Sequence, residues 1–497
     1  MDEAGSSALV TDLYELTMLQ GFWKEGKAKD TAVFDLSYRH PPFGGSFIVA
    51  AGIKDAIDYV ANLRFTESDI EYLRGLGIFE PEFLEHLRGW RFTGDISSVA
   101  EGEVVAPQTP IMVVSGPLME AQLIETALLN KVNFQSLVAT KASRIVYAAE
   151  DRPVIDFGLR RAQGRSHLEA TRAAVIGGVQ GTSNVLAGKV HNIPVKGTHA
   201  HSWVQSFQTE MEAFRAYARS FPRSCLFLVD TYDTLEIGLP NAVKVAKEMM
   251  EKDPEFKFLG VRIDSGDLAY LAARADELFV KEGFPDSVRI VLSNDLDEVS
   301  IQSILQQLRR RGAHDAVKRL VFGVGTNLIT ASPEPALGGV YKLVEHNGNP
   351  KIKVSSNMEK TTIPGKKDIV RVYGQDGPLM DILVDSPRLP KFLKQMEYFP
   401  ETVVAHHPTD PHKTYQFKRG EVLKVRSLLR PMIAAGSPSE APSDDLAAIR
   451  SYAKKTLEEF DHSYRRLENP HIYRVSLEVR LWETKQRLLV EASKQRG

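Results

Sequence analysis

Short apolar segments alternate with amphipathic segments through the middle third of the chain, and few folds accommodate such an alternation. The apolar segments have the length of strands and lie at 153–157, 193–196, 226–229, 258–263, 288–292 and 320–322. The amphipathic segments repeat with a helical period and lie at 168–176, 210–219, 241–252, 268–281 and 299–311. A strand followed by a helix, repeated several times, is typical of a parallel βα sheet or barrel. The sequence therefore predicts an α/β fold with such a sheet or barrel at its centre.

The flanking segments have a different pattern. Residues 31–50, 92–115 and 338–385 are typical of antiparallel strands joined by proline and glycine turns. Residues 436–444 are rich in serine and proline, which indicates a linker, and a charged segment with a helical pattern follows at 446–460. We expect this last segment to be a C-terminal helical appendage.

Composition limits the classes of function. The 497 residues carry 62 Lys and Arg against 64 Asp and Glu, a balance that argues against a general binder of nucleic acids or membrane surfaces. The single cysteine, Cys225, excludes an intramolecular disulfide and a cysteine metal cluster, and its apolar surroundings predict a buried strand residue. Residues 1–7 lack the features of a signal peptide, and the longest uncharged run, 104–119, contains three prolines and is too short to span a membrane. We expect a cytoplasmic protein that binds neither nucleic acid nor membrane.

Polar residues follow each of the predicted central strands. The six groups lie at 156–161, 197–202, 230–233, 262–267, 293–295 and 323–327. In a parallel βα barrel the carboxyl ends of all strands meet at one rim, where such barrels build their binding and catalytic sites. Six groups that converge by topology predict one functional site at this rim.

Arginines in these groups suit an anionic ligand. Arg262 lies inside the apolar strand 258–263, where a charge is unfavourable unless it meets an anion or Asp264. Arg160 and Arg161 directly follow a strand and suit the capture of a phosphate or a carboxylate. The alternative is that one arginine of this pair forms a salt bridge with a nearby helix while the other is solvated.

The last group is a candidate phosphate loop. Gly323-Val-Gly325-Thr326 follows a strand and can present consecutive backbone N–H groups to a phosphate. A plain turn is the alternative, but Asn327 beyond the glycines and the five other polar groups favour phosphate binding.

Carboxylates occur beside the arginines, at Asp230, Asp233, Asp264, Asp267 and Asp295. A surface for pyrophosphate with Mg²⁺ needs cations for the phosphate oxygens and carboxylates for the metal and its bound water. Helix N-capping is the alternative, since Asp267 and Asp295 both precede predicted helices, and we expect it for at least one of them.

Two histidines, His199 and His201, are separated by one residue. A zinc pair would require a third ligand, and His167 is the one candidate at the predicted rim. Both side chains do not fit easily into the core at one short strand end, so we favour a catalytic or phosphate-accepting histidine.

Several motifs around these groups resemble the nicotinate phosphoribosyltransferase family in order and spacing. They are Thr11-Asp-Leu-Tyr14, Phe157-Gly-Leu-Arg-Arg-Ala-Gln-Gly164, Gly181-Thr-Ser-Asn184, Gly197-Thr-His-Ala-His-Ser-Trp-Val204, Val261-Arg-Ile-Asp-Ser-Gly-Asp267, Phe322-Gly-Val-Gly-Thr326 and Lys353-x-Ser355 with Lys360-x-Thr362-x-Pro-Gly365. The resemblance runs from about residue 9 to the C-terminal helices.

The resemblance implies an incomplete (β/α) barrel with a second α/β domain built from the N- and C-terminal segments. The segments it suggests are 1–135 and 336–435 for the second domain, 136–335 for the barrel and 436–497 for the C-terminal helices. It also implies a homodimer with its active sites at the subunit interface.

The family's functional residues carry over by motif position. His201 would be the histidine that ATP phosphorylates, and Asp264 would also be catalytic. The residues implied in nicotinate binding are Tyr14, Phe157, Thr198 and Arg262, with Arg262 on the carboxylate. For Tyr14, packing on its own helix face with Leu13 and Met18 is the alternative.

The remaining implied residues bind phosphates and metal. Those for phosphoribosyl pyrophosphate are Arg160, Gly323, Gly325 and Thr326, and Asp230 and Asp295 would hold Mg²⁺. In the implied reaction the pyridine nitrogen displaces pyrophosphate from the anomeric carbon, through a state similar to that of glycosyl transfer. ATP would be the co-substrate, and the product would be nicotinate mononucleotide, the first step of NAD synthesis from nicotinate.

Other functions fit parts of the pattern. A nicotinamide phosphoribosyltransferase shares the fold and the histidine, and a quinolinate phosphoribosyltransferase belongs to a much shorter family. A sugar-phosphate aldolase or isomerase would also use a glycine phosphate loop, but it needs a Schiff-base lysine or a carboxylate base at the rim, and Lys196 lies before the turn. A non-catalytic nucleotide-binding regulator would leave the histidine and the arginines unexplained.

Overall fold

The computed structural model describes residues 7–355, 360–398, 402–418, 420–439 and 443–494. The chain forms two compact units, residues 1–140 together with 336–497 and residues 141–335. The first unit thus uses both ends of the chain, and the second is one continuous segment. The finer division of the flanks into separate segments stays a prediction.

The strands account for three larger sheets and one strand pair. In chain order they are β1 (Thr31–Tyr38), β2 (Ile48–Val49), β3 (Asp95–Ser98), β4 (Val104–Val105), β5 (Met112–Pro117), β6 (Val154–Asp156), β7 (Gly181–Thr182), β8 (Cys225–Leu228), β9 (Phe258–Ile263), β10 (Arg289–Leu292), β11 (Leu320–Val324), β12 (Gly339–His346), β13 (Asn349–Pro350), β14 (Lys367–Gly374), β15 (Gly377–Asp385), β16 (Thr402–His406), β17 (Thr414–Lys418), β18 (Lys424–Ser427), β19 (Arg430–Ala434), β20 (Ser437–Pro438) and β21 (Arg474–Leu477).

The helices follow the same order. They are α1 (Leu13–Lys24), α2 (Ile53–Asn62), α3 (Glu67–Gly75), α4 (Pro81–Arg88), α5 (Leu118–Leu123), α6 (Glu125–Ala148), α7 (His167–Ile176), α8 (Val185–His191), α9 (His201–Gln205), α10 (Glu210–Ser220), α11 (Leu239–Lys252), α12 (Leu268–Lys281), α13 (Glu298–Arg310), α14 (His314–Arg319), α15 (Thr326–Ile329), α16 (Leu389–Tyr398), α17 (Leu446–Glu459), α18 (His462–Arg465) and α19 (Val479–Lys494).

The second unit is built on six parallel strands in the order β7-β6-β11-β10-β9-β8. Strands β6, β10 and β11 are buried along almost their whole length, as expected for a parallel sheet covered on both faces. Because β7 and β8 are both edge strands, the sheet is an incomplete barrel. The predicted α/β fold, with a second domain from the two ends of the chain, is confirmed.

One predicted strand is wrong. Residues 193–196 form no strand and contribute a single parallel bridge, from Val195 to Thr182 of β7. Pro194 in this segment has no N–H to donate to a ladder, so the chain passes the sheet as a loop. The group at 197–202 therefore follows a loop and not a strand end.

Two carboxylates begin the helices that follow β9 and β10. Asp267 caps α12 by accepting the N–H of Tyr270 at 3.0 Å, which confirms the capping expected there. The cap of α13 is Asp297, which accepts the N–H of Ser300 at 2.7 Å. Asp295 therefore does not cap that helix, because the residue directly before the first helical residue, Glu298, is Asp297.

The first unit holds the antiparallel sheets predicted for the flanks. Their strand orders are β13-β12-β1-β5-β3-β19-β20, β17-β16-β21-β15-β14-β18 and β2-β4, and within the described residues β15 and β21 form the one parallel pair. A buried Arg371 binds Asp381 at 2.8 Å and Glu103 at 2.6 Å in this unit, so its charge is compensated. Among the described residues, no helix has the length and apolar character needed to cross a membrane.

Candidate active site

The carboxyl ends of the parallel strands gather the predicted site residues of the second unit. Phe157 follows β6, Asp230 lies just beyond β8, Asp264 follows β9, Ser293 follows β10 and Gly325 follows β11. Adjacent strands of a parallel sheet end on the same side, and the contacts below join these ends into one group.

Arg262 is the centre of this group. Its Nε donates to Ser293 Oγ at 2.7 Å, its Nη1 donates to Thr198 Oγ1 at 3.2 Å and its Nη2 donates to Asp264 Oδ1 at 2.9 Å. The guanidinium carbon lies 5.2 Å from the centre of the Phe157 ring. Among the described residues, three of the five N–H donors of the guanidinium are used in this way, and one on each terminal nitrogen has no protein partner. Two such donors side by side form the fork that matches a carboxylate.

Ser293 was not singled out from the sequence, yet its hydroxyl links the two charged groups. Its Oγ donates to Asp264 Oδ1 at 2.7 Å and accepts from Arg262. The register of the sheet places it there, because Leu292 is paired with Ile263 and the next residues along both strands lie side by side. Ser293 follows its strand just as Asp264 follows β9, but this indicates a contact between the two residues only when the register of the strands is known.

Gly323 makes room for Phe157. A Cβ on Gly323 would lie 2.5 Å from two carbons of the Phe157 ring, closer than atoms pack, so only glycine fits without displacing the ring. Gly325 is less restricted, since its Cβ would lie 3.4 Å from the carbonyl oxygen of Phe157. Gly323 thus has a packing reason to be glycine in addition to the predicted contact with phosphate.

His201 begins α9 and is partly exposed. Its Nδ1 lies 3.2 Å from Thr231 Oγ1, while its Nε2 lies 4.0 Å from Asp230 Oδ1 and 3.9 Å from Asp264 Oδ2. The imidazole is therefore bordered by two carboxylates.

The side chain of Asp230 is buried next to this histidine. Its Oδ2 accepts the N–H of Asp264 at 2.9 Å and the hydroxyl of Ser265 at 2.6 Å. Its Oδ1 is buried and has no hydrogen-bond partner among the described residues. Asp230 thus ties the ends of β8 and β9 together and keeps one carboxylate oxygen unpaired.

His199 differs from His201 in its burial and in its hydrogen-bond partners. It is buried, and its Nε2 accepts the N–H of Leu228 at 3.1 Å. Burial lowers the pKa of His199 to about 4, so the ring is neutral at physiological pH. The partly exposed His201 and the buried His199 thus lie in different environments.

Asp156 is a further residue that sequence reasoning did not select. Its buried carboxylate accepts the N–H of Gly158 at 2.7 Å and the hydroxyls of Thr171 and Thr182 at 2.9 and 2.8 Å, and burial raises its pKa. These bonds hold the turn that carries Phe157. An aspartate at the end of an apolar strand is the signal that could have identified it.

Three predicted ligands of phosphate or metal lie apart from these contacts. Arg160 is exposed on a single 3-10 turn, Leu159–Arg161, and makes no hydrogen bond or ion pair within the described part of the chain. Asp295 is exposed with a φ of 45°, and its carbonyl accepts from Asn327 at 3.1 Å. Thr326 begins α15 and is half-buried.

Tyr14 lies in the first unit, whereas the rim residues lie in the second. It stands in the first turn of α1 and its hydroxyl donates to Glu15 Oε1 at 3.3 Å. Burial and the charges of Glu125 and Glu15 raise the pKa of Tyr14. Its side chain is 46% exposed, and those of Leu13 and Met18 on the same helix are 53% and 38% exposed.

Within the described residues, the rim of the half-barrel holds an arginine with free donors, a histidine between two carboxylates and a glycine-rich strand end. This combination is typical of an enzyme that acts on anionic substrates. Sequence profiles described as the nicotinate phosphoribosyltransferase N-terminal domain, family and C-terminal domain match residues 9–133, 153–381 and 366–485. The nicotinate phosphoribosyltransferase of Bacillus subtilis is 40% identical over 98% of this chain and 96% of its own, and that of Caenorhabditis elegans is 36% identical over 96% and 92%.

Solved structures agree with these relatives. The human nicotinic acid phosphoribosyltransferase superposes with a TM-score of 0.82 at 32% identity, over 97% of this chain and 100% of its own. A nicotinate-nucleotide pyrophosphorylase of Pyrococcus furiosus shares the fold, with a TM-score of 0.68 at 20% identity over 92% and 97%. The chain belongs to the nicotinate phosphoribosyltransferase family. The family and the enzyme class predicted from the motifs are confirmed, and the aldolase and the non-catalytic regulator are set aside.

Proposed function

We propose that the chain joins nicotinate to phosphoribosyl pyrophosphate, releasing pyrophosphate and nicotinate mononucleotide, and that ATP assists by phosphorylating His201. The observation that carries the proposal is the guanidinium of Arg262, which keeps two unused donors beside Phe157 and close to His201 through Asp264. The reaction is the first step of NAD synthesis from nicotinate, and we propose that it takes place in the cytoplasm.

The nicotinate carboxylate would accept the two remaining N–H groups of Arg262, with Thr198 and Phe157 shaping the pocket around it. The pyridine nitrogen then forms a bond with the anomeric carbon as the bond from that carbon to pyrophosphate breaks. The ring becomes a pyridinium cation, which favours an aromatic face such as that of Tyr14.

The phosphates of phosphoribosyl pyrophosphate would be bound by Arg160, Gly323, Gly325 and Thr326. Arg160 has no partner within the described residues, so its donors are available to phosphate oxygens. Gly323 lies within β11, so the backbone N–H groups from Gly325 onward, beyond the end of the strand, would bind the phosphate without a counter-charge of their own.

In the energising step a ring nitrogen of His201 forms a bond with the γ-phosphorus of ATP, and the bond to the bridging oxygen breaks to release ADP. Asp230 and Asp264 border the imidazole and stabilise the positive charge that the ring gains. Thr231 holds the opposite side of the ring. Hydrolysis of the phosphohistidine then releases phosphate.

The residues present fit a magnesium ion that is held mainly through the substrate. Within the described residues no group of three or more His, Cys, Asp or Glu side chains is arranged to hold a metal alone. Mg²⁺ needs only one or two carboxylates when phosphates complete its shell, and Asp230 keeps a carboxylate oxygen without a hydrogen-bond donor. Asp230 and the exposed Asp295 would hold the ion, which supplies neutralisation of the charge on pyrophosphate.

Assays with each pyridine in turn test the function. The protein is mixed with phosphoribosyl pyrophosphate, Mg²⁺ and ATP, and then with nicotinate, nicotinamide or quinolinate, and the nucleotide product is measured. We expect nicotinate mononucleotide to form fastest. A faster reaction with nicotinamide, or no nucleotide from nicotinate, would contradict the proposal.

We further propose a homodimer in which Tyr14 completes the partner's site. Tyr14, Leu13 and Met18 form an exposed face on α1 in the first unit, and a two-fold axis would place each such face over the rim of the other subunit.

Complementation tests the shared site. Tyr14→Ala and His201→Ala proteins are impaired alone, but after subunit exchange the mixed dimer holds one site with both native residues, so activity rises above either parent. No recovery, with exchange demonstrated by mass, would show that Tyr14 serves its own chain.

A further inference from the structure

His199 accepts a hydrogen bond from a backbone N–H group at the open edge of the incomplete barrel. Strand β8 is an edge strand, and within the described parts of the chain its single neighbouring strand is β9. Val229, directly after β8, donates its N–H to the carbonyl of Arg262 in β9 at 3.1 Å. Successive N–H groups of a strand point to opposite sides, so the N–H of Leu228 faces the open edge. There it donates to Nε2 of His199 at 3.1 Å. An imidazole thus takes the place of the missing strand.

The ring is fixed by its surroundings. His199 is 7% exposed and meets the Tyr217 ring edge-on, with centroids 4.7 Å apart. Because Nε2 accepts a hydrogen bond, the proton of the neutral ring lies on Nδ1, which is 3.4 Å from the carbonyl oxygen of Ala200. Burial lowers the pKa of His199 to about 4, so Nε2 remains an acceptor at physiological pH.

The same bond connects the two segments that form the site. The loop around His199 carries Thr198, which accepts from Arg262 at 3.2 Å, and His201. The strand end beyond Leu228 carries Thr231, whose hydroxyl lies 3.2 Å from Nδ1 of His201. A shift between loop and strand end would therefore change the position of His201 relative to its neighbours.

We propose that His199 is a positioning residue for His201, acting through the hydrogen bond from Leu228 at the open edge of the half-barrel. This inference rests on the proposed phosphorylation of His201 and extends it to a residue that does not touch substrate. A misplaced imidazole would react more slowly with ATP, whereas transfer that proceeds without ATP does not use the imidazole as a nucleophile.

Replacing His199 with glutamine or with asparagine, whose amides differ in length, distinguishes a positioning role of His199 from a purely structural one. In His199→Gln the side-chain oxygen reaches the former place of Nε2 and can accept the Leu228 N–H. In His199→Asn the shorter amide reaches only the place of Nδ1. His199→Phe keeps the volume of the ring without an acceptor and provides a second variant should His199→Asn not fold.

The measurements are the rate of acid-labile labelling of the full-length protein by γ-labelled ATP, and the nucleotide-forming rate with and without ATP. We expect the variants without an acceptor to label at least about tenfold more slowly, a change of ~1.4 kcal/mol in the barrier, and transfer in the absence of ATP to fall by a clearly smaller factor, since Thr198 on the same loop also contacts Arg262. His199→Gln should restore most of the labelling rate.

Three results would overturn the inference. Labelling at the wild-type rate in His199→Asn or His199→Phe would show that the bond does not position His201. Equal losses of labelling and of ATP-independent transfer in all variants, the glutamine included, would show that His199 only maintains the fold. Wild-type protein that takes up no label would refute the phosphorylation of His201 itself, which distinguishes that failure from the other two.

Discussion

Replacing Arg262 with lysine tests how the site recognises a carboxylate. The native guanidinium donates to Ser293, Thr198 and Asp264 and lies against Phe157. A lysine keeps the positive charge but offers three donors from a single nitrogen. It cannot hold these protein partners and also present two parallel donors to a ligand.

The expected loss follows from the hydrogen bonds. A lysine at position 262 retains one charge-assisted bond to the nicotinate carboxylate and loses the other, and such a bond contributes ~1.5–3 kcal/mol. Each ~1.4 kcal/mol changes kcat/KM tenfold, so the efficiency for nicotinate should fall about tenfold to a hundredfold. The lost bonds to Ser293 and Thr198 should also lower the free energy of unfolding by roughly 1–3 kcal/mol.

The assay compares Arg262→Lys with Arg274→Lys as a matched control. Arg274 lies on α12 in the same unit and forms an exposed ion pair with Glu277, and such pairs contribute little. Steady-state kcat/KM for nicotinate is measured at saturating phosphoribosyl pyrophosphate and ATP, together with the melting temperature. An efficiency in Arg262→Lys equal to that of the control, with a lower melting temperature, would show that the arginine only stabilises the rim.

Three further changes test the packing and the charges around the two units. Gly323→Ala should raise the KM for nicotinate, because a Cβ there would lie 2.5 Å from the Phe157 ring; Gly75→Ala, with nothing within 4 Å, is the control, and equal KM values would contradict the packing role. Asp156→Asn should lower the free energy of unfolding by roughly 1–3 kcal/mol, because one amide oxygen replaces a carboxylate that accepts three bonds; an unchanged denaturant midpoint would refute this. Burial raises the pKa of Glu15 from 4.5 to about 7, so the stability contributed by its protonated form is fully present below the ordinary pKa and is lost as the pH rises through about 7. The melting temperature of the wild type should therefore fall relative to that of Glu15→Gln over this range, and parallel curves for the two proteins would refute the shift.

The central strands were predictable because burial on both faces leaves a continuous apolar run. The predicted strand 258–263 matches β9 at both ends, and Asp267 caps the next helix as expected. The segment 193–196 also contains two β-branched residues, but it includes a proline and its neighbours in space decide its conformation. Pro194 interrupts the ladder, and the two residues of β7 take the place beside β6.

The site was predictable where one residue is anomalous in its own surroundings. Arg262 in an apolar strand stands out without knowledge of any partner, and the pair His199 and His201 stands out as well, but only the family resemblance selects His201. Ser293 and Thr231 do not stand out, because a serine or a threonine near a strand end is ordinary in sequence, and the burial that separates His199 from His201 is not visible there. Their contributions depend on register and on the open edge of the sheet, which arise only from the assembled fold.

The order of contacts at the rim also bears on the choice between nicotinate and nicotinamide. The absence of a side chain at Gly323 allows the Phe157 ring to lie against Arg262, and Asp264 with Ser293 fixes the guanidinium in its plane. The donors left over are two N–H groups. A carboxylate presents two acceptors to them, whereas a carboxamide presents one acceptor and one NH₂ group, which would face a donor and leave both unpaired. Unpaired buried donors disfavour binding more than a missing bond does. We therefore propose that the rim favours the acid over the amide, and that the preference originates in the residues that leave Arg262 with two donors for the ligand.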